Sequence, residues 1–214
     1  MGSSHSISAT EIQQLSKKTG FTSDQIEILH RRFKYLSEGR IKLRKNDFHR
    51  VSNLESNPIR EKIVNAFFDN RNLKNEPGTL EEIEFGDFLT ILSNFRPVQV
   101  TDEADEVEQI RINKLRFLFN MYDCDGDGKI SVEEYKNVVS DLLSKSLSSE
   151  KDASSSVAEA AMLEARHMCS GHVDPDQQYE GITFEDFLKI WKDISIESQM
   201  YVRFLTMETT RICK

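Results

Sequence analysis

The sequence predicts an all-α protein of four helix–loop–helix units, paired into two lobes with short β-bridges between paired loops. Three observations support this prediction. Apolar residues recur at the spacing of amphipathic helices, no segment alternates long enough for a sizeable sheet, and one short pattern occurs four times. A chain of 214 residues is long enough to bury one or two hydrophobic cores.

Five segments place apolar side chains on one face of a helix, where residues three and four apart meet. In chain order they are Ile26, Leu29, Phe33 and Leu36; Ile59, Ile63, Val64, Phe67 and Phe68; Leu115, Leu118, Phe119 and Tyr122; Tyr135, Val138, Val139 and Leu142; and Phe187, Leu188, Trp191 and Ile194. Each segment predicts a helix.

The repeated pattern is an apolar residue, three further residues, an acid, and then Phe or Tyr. Its copies begin at Leu43, Ile83, Ile130 and Ile182. Each copy follows a polar loop and opens an apolar helix, which is typical of a repeated supersecondary unit. Paired loops should therefore bridge through these residues, Leu43 with Ile83 and Ile130 with Ile182.

The repeats also suggest domain boundaries. Pro97 should end the preceding helix, and an acidic run follows it. The predicted parts are an N-terminal segment (1–20), an N-lobe (21–96), an acidic linker (97–109), and a C-lobe (110–214) that ends in a tail (196–214).

Charge and composition exclude several classes of protein. Residues 1–100 carry 15 Lys and Arg against 13 Asp and Glu, whereas residues 101–214 carry 13 against 23. The acidic half disfavours nucleic acid and favours cations. We expect no secretory signal in the polar first twenty residues and no membrane-spanning run. Three scattered cysteines fit a reducing compartment, the cytoplasm or the nucleus.

The third loop, residues 123–134, reads DCDGDGKISVEE and matches the EF-hand calcium pattern D-x-[DN]-x-[DN]-G-x5-E at every fixed position. Ca²⁺ takes about six to eight oxygen ligands at about 2.3–2.6 Å. The predicted ligands are the carboxylates of Asp123, Asp125 and Asp127, the backbone carbonyl of Lys129, Ser131 through a water, and both oxygens of Glu134. Mg²⁺ is expected to compete for this site.

The other three loops lack the ligands. The first loop (36–47) has Leu36 at ligand position 1 and Arg40 at position 5. The second loop (69–87) has 19 residues, too many for the twelve-residue geometry, and the fourth loop (175–186) begins with Pro175. The sequence therefore predicts four EF-hand units of which one binds a cation.

The start of the chain, MGSSHS, fits the N-myristoylation pattern with Gly2 as the acceptor. One myristoyl chain binds membranes only marginally, so a second signal is needed. The basic residues between positions 31 and 50 could supply it by binding an anionic membrane, or a membrane-bound partner could. The alternative is that they form an ordinary solvated face.

Three segments, NPIREKIVNAFFDNRNL (57–73), KLRFLFNMYDCDGDGKISVEEY (114–135) and EGITFEDFLKIW (180–191), resemble the calcineurin B homologous proteins, a family of calcineurin-B-like EF-hand proteins. The resemblance covers essentially the whole chain. It implies an accessory subunit that holds the juxtamembrane amphipathic helix of a plasma-membrane sodium/proton exchanger and supports its maturation, surface stability and activity. It also implies inhibition of the phosphatase calcineurin by competition with its regulatory subunit, with the calcineurin catalytic subunit as a second partner, and a role in differentiation.

Several alternatives stay open. The tail carries Met200, Phe204 and Met207 on one helical face, which either packs on the C-lobe or plugs the target groove. A cytosolic Ca²⁺ or Mg²⁺ buffer and a structural-cation subunit of another complex are the rival functions, and a homodimer is one possible assembly. No enzyme is predicted, because no H-E-x-x-H, nucleophile elbow or phosphate-binding glycine loop occurs.

Overall fold

The computed structural model describes residues 7–98, 103–143, 151–170 and 180–196, together with Met200. The protein is mostly helical, as the sequence predicts. The helices are α1 (Ala9–Thr19), α2 (Ser23–Leu36), α3 (Ser52–Glu55), α4 (Arg60–Phe68), α5 (Arg71–Lys74), α6 (Phe85–Ser93), α7 (Ala104–Tyr122), α8 (Val132–Leu143), α9 (Lys151–Ser170) and α10 (Phe184–Ile190), with a 3-10 helix at Lys45–Arg50. Among these described helices, none combines the length and the apolar character needed to cross a membrane.

Two short antiparallel strand pairs join the loops. Strand β1 (Leu43–Arg44) pairs with β2 (Glu82–Ile83), and β3 (Lys129–Ile130) pairs with β4 (Ile182–Thr183). Leu43 lies opposite Ile83, and Ile130 lies opposite Ile182, so the predicted bridges are confirmed. All four of these residues are buried, which anchors each strand pair in the hydrophobic core.

The helices begin and end where local hydrogen bonds dictate. Thr22 caps α2 in a reciprocal box: its Oγ1 accepts the Gln25 N–H at 3.3 Å, and Gln25 Oε1 accepts the Thr22 N–H at 2.9 Å. The four apolar residues predicted on this helix are buried. Helix α10, the last in the described part of the chain, is shorter than predicted: it ends at Ile190, before Trp191 and Ile194.

Arg111 explains how the chain leaves α10. Its guanidinium donates hydrogen bonds to the backbone carbonyls of Trp191, Lys192 (3.1 Å) and Ile194 (2.8 Å). These carbonyls follow the last helical residue, and two of them also accept backbone N–H groups of the turn, Trp191 from Ile194 at 3.1 Å and Ile194 from Ile196 at 2.8 Å. Arg111 therefore stabilises a turn where the apolar periodicity suggests further helix.

Two helices extend into ranges for which the sequence predicts no helix. Helix α1 lies inside the predicted N-terminal segment and packs against α2 and α6. It is capped by Ser8, whose Oγ accepts the Glu11 N–H at 3.2 Å. Its Ile12 is buried in the core. Helix α7 begins at Ala104, inside the predicted linker 97–109.

The N-terminal half (residues 7–98) and the C-terminal half (residues 103–200) share one hydrophobic core. A row of aromatic rings crosses between them: Phe48 and Phe67 lie 4.9 Å apart, Phe67 and Phe95 6.5 Å, and Phe95 and Phe117 5.1 Å. Helix α7 packs on α4 and α5 along this row. The two halves therefore touch through α7 as well as following one another in sequence.

A buried lysine lies at the same junction. The side chain of Lys114 is inaccessible to solvent, and its Nζ donates to the carbonyls of Asn94 (2.8 Å), Arg96 (2.9 Å) and Met200 (2.9 Å). A buried ammonium group needs such partners, because its desolvation is costly. Lys114 therefore joins the end of the N-terminal half to a residue near the C-terminus.

Candidate metal site

The third loop connects α7 to α8 and is organised around Asp123. This side chain is 1% exposed. Its Oδ1 accepts the Gly126 N–H at 2.8 Å, and its Oδ2 accepts the Gly128 N–H at 3.1 Å. Gly128 has a φ of +88°, a left-handed conformation that a residue with a Cβ seldom adopts. The glycine in the calcium pattern thus provides the turn that aims backbone amides at the first ligand.

Glu134 lies across the same loop from its other end. Its Oε1 accepts the Cys124 N–H at 2.7 Å, and its Oε2 accepts both the N–H and the hydroxyl of Ser131, at 2.9 and 2.8 Å. The hydroxyl of Ser131 in turn accepts the Glu134 N–H at 3.3 Å, which fixes the start of α8. The last ligand position is therefore held close to the first residues of the loop.

Three carboxylates of this loop converge on one point. Asp123, Asp125 and Glu134 each offer an oxygen, and these oxygens lie within 4.8 Å of one another. Two ligands on opposite sides of a Ca²⁺ ion lie about 4.6–5.2 Å apart, because each bond measures about 2.3–2.6 Å. A cluster of carboxylate oxygens of this size fits Ca²⁺ or the smaller Mg²⁺, both of which prefer oxygen.

The remaining predicted ligands lie around this cluster. Asp127 is exposed and its Oδ1 accepts the Lys129 N–H at 2.8 Å, so the structure does not bring it into the group of three. The Lys129 side chain turns away to pair with Glu180 of the fourth loop. Ser131 contacts Glu134, as described above. Gly2, the predicted lipid acceptor, lies outside the described residues.

Burial raises the pKa of the Asp123 carboxyl above its ordinary value, and the charge of Glu134 adds to the effect. The Arg71 guanidinium and the amides of Gly126 and Gly128 offset only part of this. A carboxylate that is costly to keep charged gains most from a cation beside it. The electrostatics of Asp123 therefore favour a bound cation.

The first loop contains a cation of its own. Asp47 occupies ligand position 12 and is buried. Its Oδ1 accepts Nη2 of Arg40 at 2.5 Å, and its Oδ2 accepts the Arg44 N–H at 2.7 Å. Leu36, at ligand position 1, is buried in the core. A guanidinium group thus pairs with the acid that would bind metal in a working loop.

In the second and fourth loops, too, side chains of the protein contact the acids. In the second loop, Arg71 forms hydrogen bonds to both carboxylate oxygens of Asp69, at 3.1 and 3.0 Å from Nε and 2.6 Å from Nη2. In the fourth loop, Asp186 Oδ2 accepts the Thr183 hydroxyl at 2.8 Å, and residues 175–179 lie outside the described residues. Acids in each of these loops are engaged by side chains of the protein.

Sequence reasoning missed the role of the arginines. Arg40 stands at a ligand position seven residues before Asp47, and this spacing could have indicated an internal ion pair. The contact of Arg71 with Asp123, 52 residues away, has no comparable signal in the sequence.

Comparisons with known proteins agree with this site. Residues 114–142, which include the third loop, match the EF hand domain family. The chain is 58% identical to Calcineurin B homologous protein 3 of Homo sapiens, over 214 residues and 100% of both chains. It is 53% identical to the proteins of that name from Gallus gallus and Xenopus tropicalis, again over the full length of each. Tescalcin is another name for this relative.

Proposed function

The chain belongs to the calcineurin B homologous protein family, and we propose that it is a Ca²⁺-binding regulatory subunit that holds an amphipathic helix of a plasma-membrane sodium/proton exchanger. The observation that carries the proposal is the convergence of Asp123, Asp125 and Glu134 in the EF-hand loop of such a chain. The arrangement of four EF-hand units in two lobes is part of the same proposal.

The third loop would hold one ion. The carboxylates of Asp123, Asp125, Asp127 and Glu134, the Lys129 carbonyl, and Ser131 through a water would hold Ca²⁺, with Mg²⁺ as a competitor. Bound Ca²⁺ would supply two positive charges to a group of acids that otherwise repel one another. To bind with both oxygens, Glu134 would exchange hydrogen bonds from Cys124 and Ser131 for the ion.

A single site favours regulation over buffering. In the first and second loops, arginine side chains pair with the acids, and the fourth has no metal-binding cluster among its described residues. A protein of 24.7 kDa with one site is an inefficient store of Ca²⁺. Its helical frame is better suited to present a surface whose properties depend on one ion.

The proposed surface lies mainly in the C-terminal half. Most exposed large apolar side chains among the described residues are found there: Val132, Leu142, Val157, Leu163, Met168 and Ile194. An amphipathic helix buries its apolar face against such side chains. The family supports the juxtamembrane helix of an exchanger as the main partner, and the catalytic subunit of calcineurin as a second one that the protein would inhibit.

The tail bears on this surface. Met200 is buried and accepts a hydrogen bond from Lys114, and Ile196 is buried in the core. Residues 197–199 and 201–214 lie outside the described residues. The first part of the tail is thus anchored between the two halves, as the alternative of packing on the C-lobe predicts. That the tail plugs the target groove stays a proposal.

Membrane association would depend on the exchanger and on a myristoyl group at Gly2. The basic residues at 31–50 are a weak second signal, because ion pairs join Arg40 to Asp47, Arg44 to Glu82, Arg50 to Glu38 and Lys42 to Glu84. Charges paired in this way attract anionic lipid less. We propose a cytoplasmic protein, part of it at the plasma membrane, with nuclear localisation as an expectation from cysteine usage.

One observation favours a second candidate, a structural cation that stabilises the protein within a complex. Asp123 contacts Arg71 of the N-terminal half, so an ion at Asp123 would lie beside the junction of the two halves. The two functions differ in one measurable respect. A regulatory ion changes target affinity, whereas a structural ion changes mainly the free energy of unfolding.

The test is a calorimetric titration of the protein with a synthetic peptide of the exchanger's juxtamembrane helix, in Ca²⁺, in Mg²⁺ and in a chelator. A regulatory subunit should bind about tenfold or more tightly in Ca²⁺ than in chelator. A scrambled peptide of equal composition serves as the control. Equal affinity in all three conditions would favour the structural cation, and no binding in any of them would contradict the adaptor function.

A further inference from the structure

The guanidinium of Arg71 lies between acids from two different loops. It forms hydrogen bonds to both oxygens of Asp69, the first residue of the second loop. Its Nη1 also donates to Oδ2 of Asp123, the first ligand position of the third loop, at 2.9 Å. One side chain therefore joins the opening acids of a loop without metal ligands and of the proposed calcium loop.

The same guanidinium is fixed to the backbone around the calcium loop. Its Nη2 donates to the carbonyls of Asn120 (2.9 Å) and Asp123 (2.8 Å), where α7 ends. Asn120 adds a parallel link, because its Nδ2 donates to Oδ1 of Asn72 at 2.8 Å. The second loop and the start of the third loop are thus held together by four hydrogen bonds that cross between the halves of the protein.

The charges of Arg71 and Asp69 nearly cancel. Arg71 would repel a cation in the third loop if its charge were unopposed. Asp69 opposes it directly, with three hydrogen bonds and a side chain that is 15% exposed. The pair therefore presents oriented N–H donors to Asp123 with little net charge.

Asp123 has room for both partners. A carboxylate has about four lone-pair positions, and Asp123 uses three of them for Gly126, Gly128 and Arg71. A metal ion can take the fourth while Arg71 stays in place. Replacing a residue that donates a hydrogen bond to a metal ligand, without contacting the metal itself, commonly lowers metal affinity by about 10–100-fold.

We infer that Arg71 is a positioning residue for the calcium loop and that, through it, Ca²⁺ bound in the C-terminal half stabilises the second loop of the N-terminal half. The inference rests on the proposed calcium site at Asp123. Linkage makes the effect reciprocal. If bound Ca²⁺ strengthens the interaction of Asp123 with Arg71, then Arg71 raises the affinity of the loop for Ca²⁺ by the same factor. The second loop, which has too many residues for an EF-hand site, would thereby respond to Ca²⁺.

The first measurement is the Ca²⁺ dissociation constant of full-length Arg71→Gln by calorimetry. Loss of the hydrogen bonds to Asp123 should weaken Ca²⁺ binding about tenfold or more. Arg71→Lys should behave like Arg71→Gln, because an ammonium group cannot contact both carboxylates and both carbonyls. Arg44→Gln is the matched control, since Arg44 pairs with Glu82 at 2.6 Å within the N-terminal half and should leave the constant unchanged.

The second measurement is hydrogen exchange of the second loop with and without Ca²⁺. The amides of Asn70 and Leu80 donate to the carbonyls of Gly78 (2.9 Å) and Phe68 (2.7 Å). Ca²⁺ should slow their exchange in the wild-type protein and in Arg44→Gln. In Arg71→Gln, saturating Ca²⁺ should slow exchange over 123–134 but no longer over 69–80.

The outcomes separate this inference from the proposed function. If the wild-type protein binds no Ca²⁺, the proposed calcium site is wrong and the inference falls with it. If the wild-type protein binds Ca²⁺ and Arg71→Gln binds it equally or more tightly, only the positioning role is overturned. If Ca²⁺ still protects residues 69–80 in Arg71→Gln, the transmission through Arg71 is overturned.

Discussion

The first and third loops share a framework and differ in what neutralises their acids. Both have a strand in an antiparallel pair and an acid at position 12, Asp47 or Glu134. In the first loop the guanidinium of Arg40 pairs with that acid. In the third loop Glu134 accepts only uncharged N–H and O–H groups of Cys124 and Ser131, and it lies beside two further carboxylates. The comparison shows that this kind of loop keeps its fold when a side chain replaces the ion.

Neutralisation by an arginine and neutralisation by an ion depend differently on the Ca²⁺ concentration. An arginine is covalently attached, so the first loop is neutralised at any Ca²⁺ concentration. The third loop gains stability only as Ca²⁺ binds, by about 2.7 kcal/mol at a concentration one hundred times the dissociation constant. We therefore expect Ca²⁺ to stabilise the third loop directly and the first loop only through the shared core.

The largest expected effect is that of Asp123→Ala. It removes the buried carboxylate of the cluster and should abolish high-affinity Ca²⁺ binding by the whole protein, a loss of at least about 100-fold or about 2.7 kcal/mol. Calorimetric titration measures it. The matched control is Asp47→Ala, which removes an acid of the first loop and should leave Ca²⁺ affinity unchanged. A micromolar site that survives Asp123→Ala would mean that the second or fourth loop binds Ca²⁺.

A smaller effect is expected where the third and fourth loops touch. Gly181 has a φ of +148°, and a Cβ there would lie 2.7 Å from the carbonyl oxygen of Ile130. Gly181→Ala should force the strand pair β3–β4 apart and lower the free energy of unfolding by about 2–3 kcal/mol. Gly78→Ala is the control in the second loop, where φ is +114° but no atom lies within 4 Å of the added Cβ.

Thermal unfolding of the two glycine variants, with and without Ca²⁺, distinguishes backbone strain from steric contact. Strain alone would affect both variants alike. The contact predicts a greater loss for Gly181→Ala and weaker Ca²⁺ binding in that variant only. Equal losses would show that the fourth loop can move without disturbing the third.

Asp47→Ala should have a moderate effect, on stability alone. It leaves the Arg40 guanidinium and the Arg44 amide without their shared acceptor. The expected loss in free energy of unfolding is about 1–2 kcal/mol, measured by urea denaturation. The same loss should be found with Ca²⁺ and with chelator, since the first loop does not use the ion. A loss that disappears in Ca²⁺ would contradict the proposed independence of the first loop.

The smallest effect concerns pH. Because burial raises the pKa of Asp123 above the ordinary 3.8, protons should begin to displace Ca²⁺ at a higher pH than for an exposed aspartate. Ca²⁺ affinity should be level near neutral pH and fall as the pH falls through this raised pKa. In chelator the sign reverses: protonation relieves a buried charge, so stability rises over the same window. Asp123→Asn should lack this rise, which pH-dependent urea denaturation would reveal.

Much of the fold could be predicted from sequence because it depends on local patterns. The partners Leu43–Ile83 and Ile130–Ile182 follow from the repeat, and they pair as predicted. Helix α1 could not be predicted in this way, because its buried face includes few apolar residues, Ile12 among them. Its position depends on packing against α2, which follows it directly in the chain, and against α6, which is distant in sequence.

The site shows the same division. The positions of Asp123, Asp125 and Glu134 in one twelve-residue pattern predict their convergence, because a short loop limits how far they can separate. Contacts that depend on how the two halves meet, such as Arg71 with Asp123, are specified by the whole core. Sequence spacing carries no record of them until the helices are placed.

Lys114 offers a chemical reporter of this assembly. Its amine is enclosed by the carbonyls of Asn94 and Arg96, at the end of the N-terminal half, and by the carbonyl of Met200. An amine-reactive reagent can modify it only when those carbonyls withdraw, whereas exposed lysines react at once. The rate at which Lys114 is acylated would therefore measure how often its amine becomes exposed, for instance when the segment at Met200 moves away. A target that displaces the tail should increase this rate.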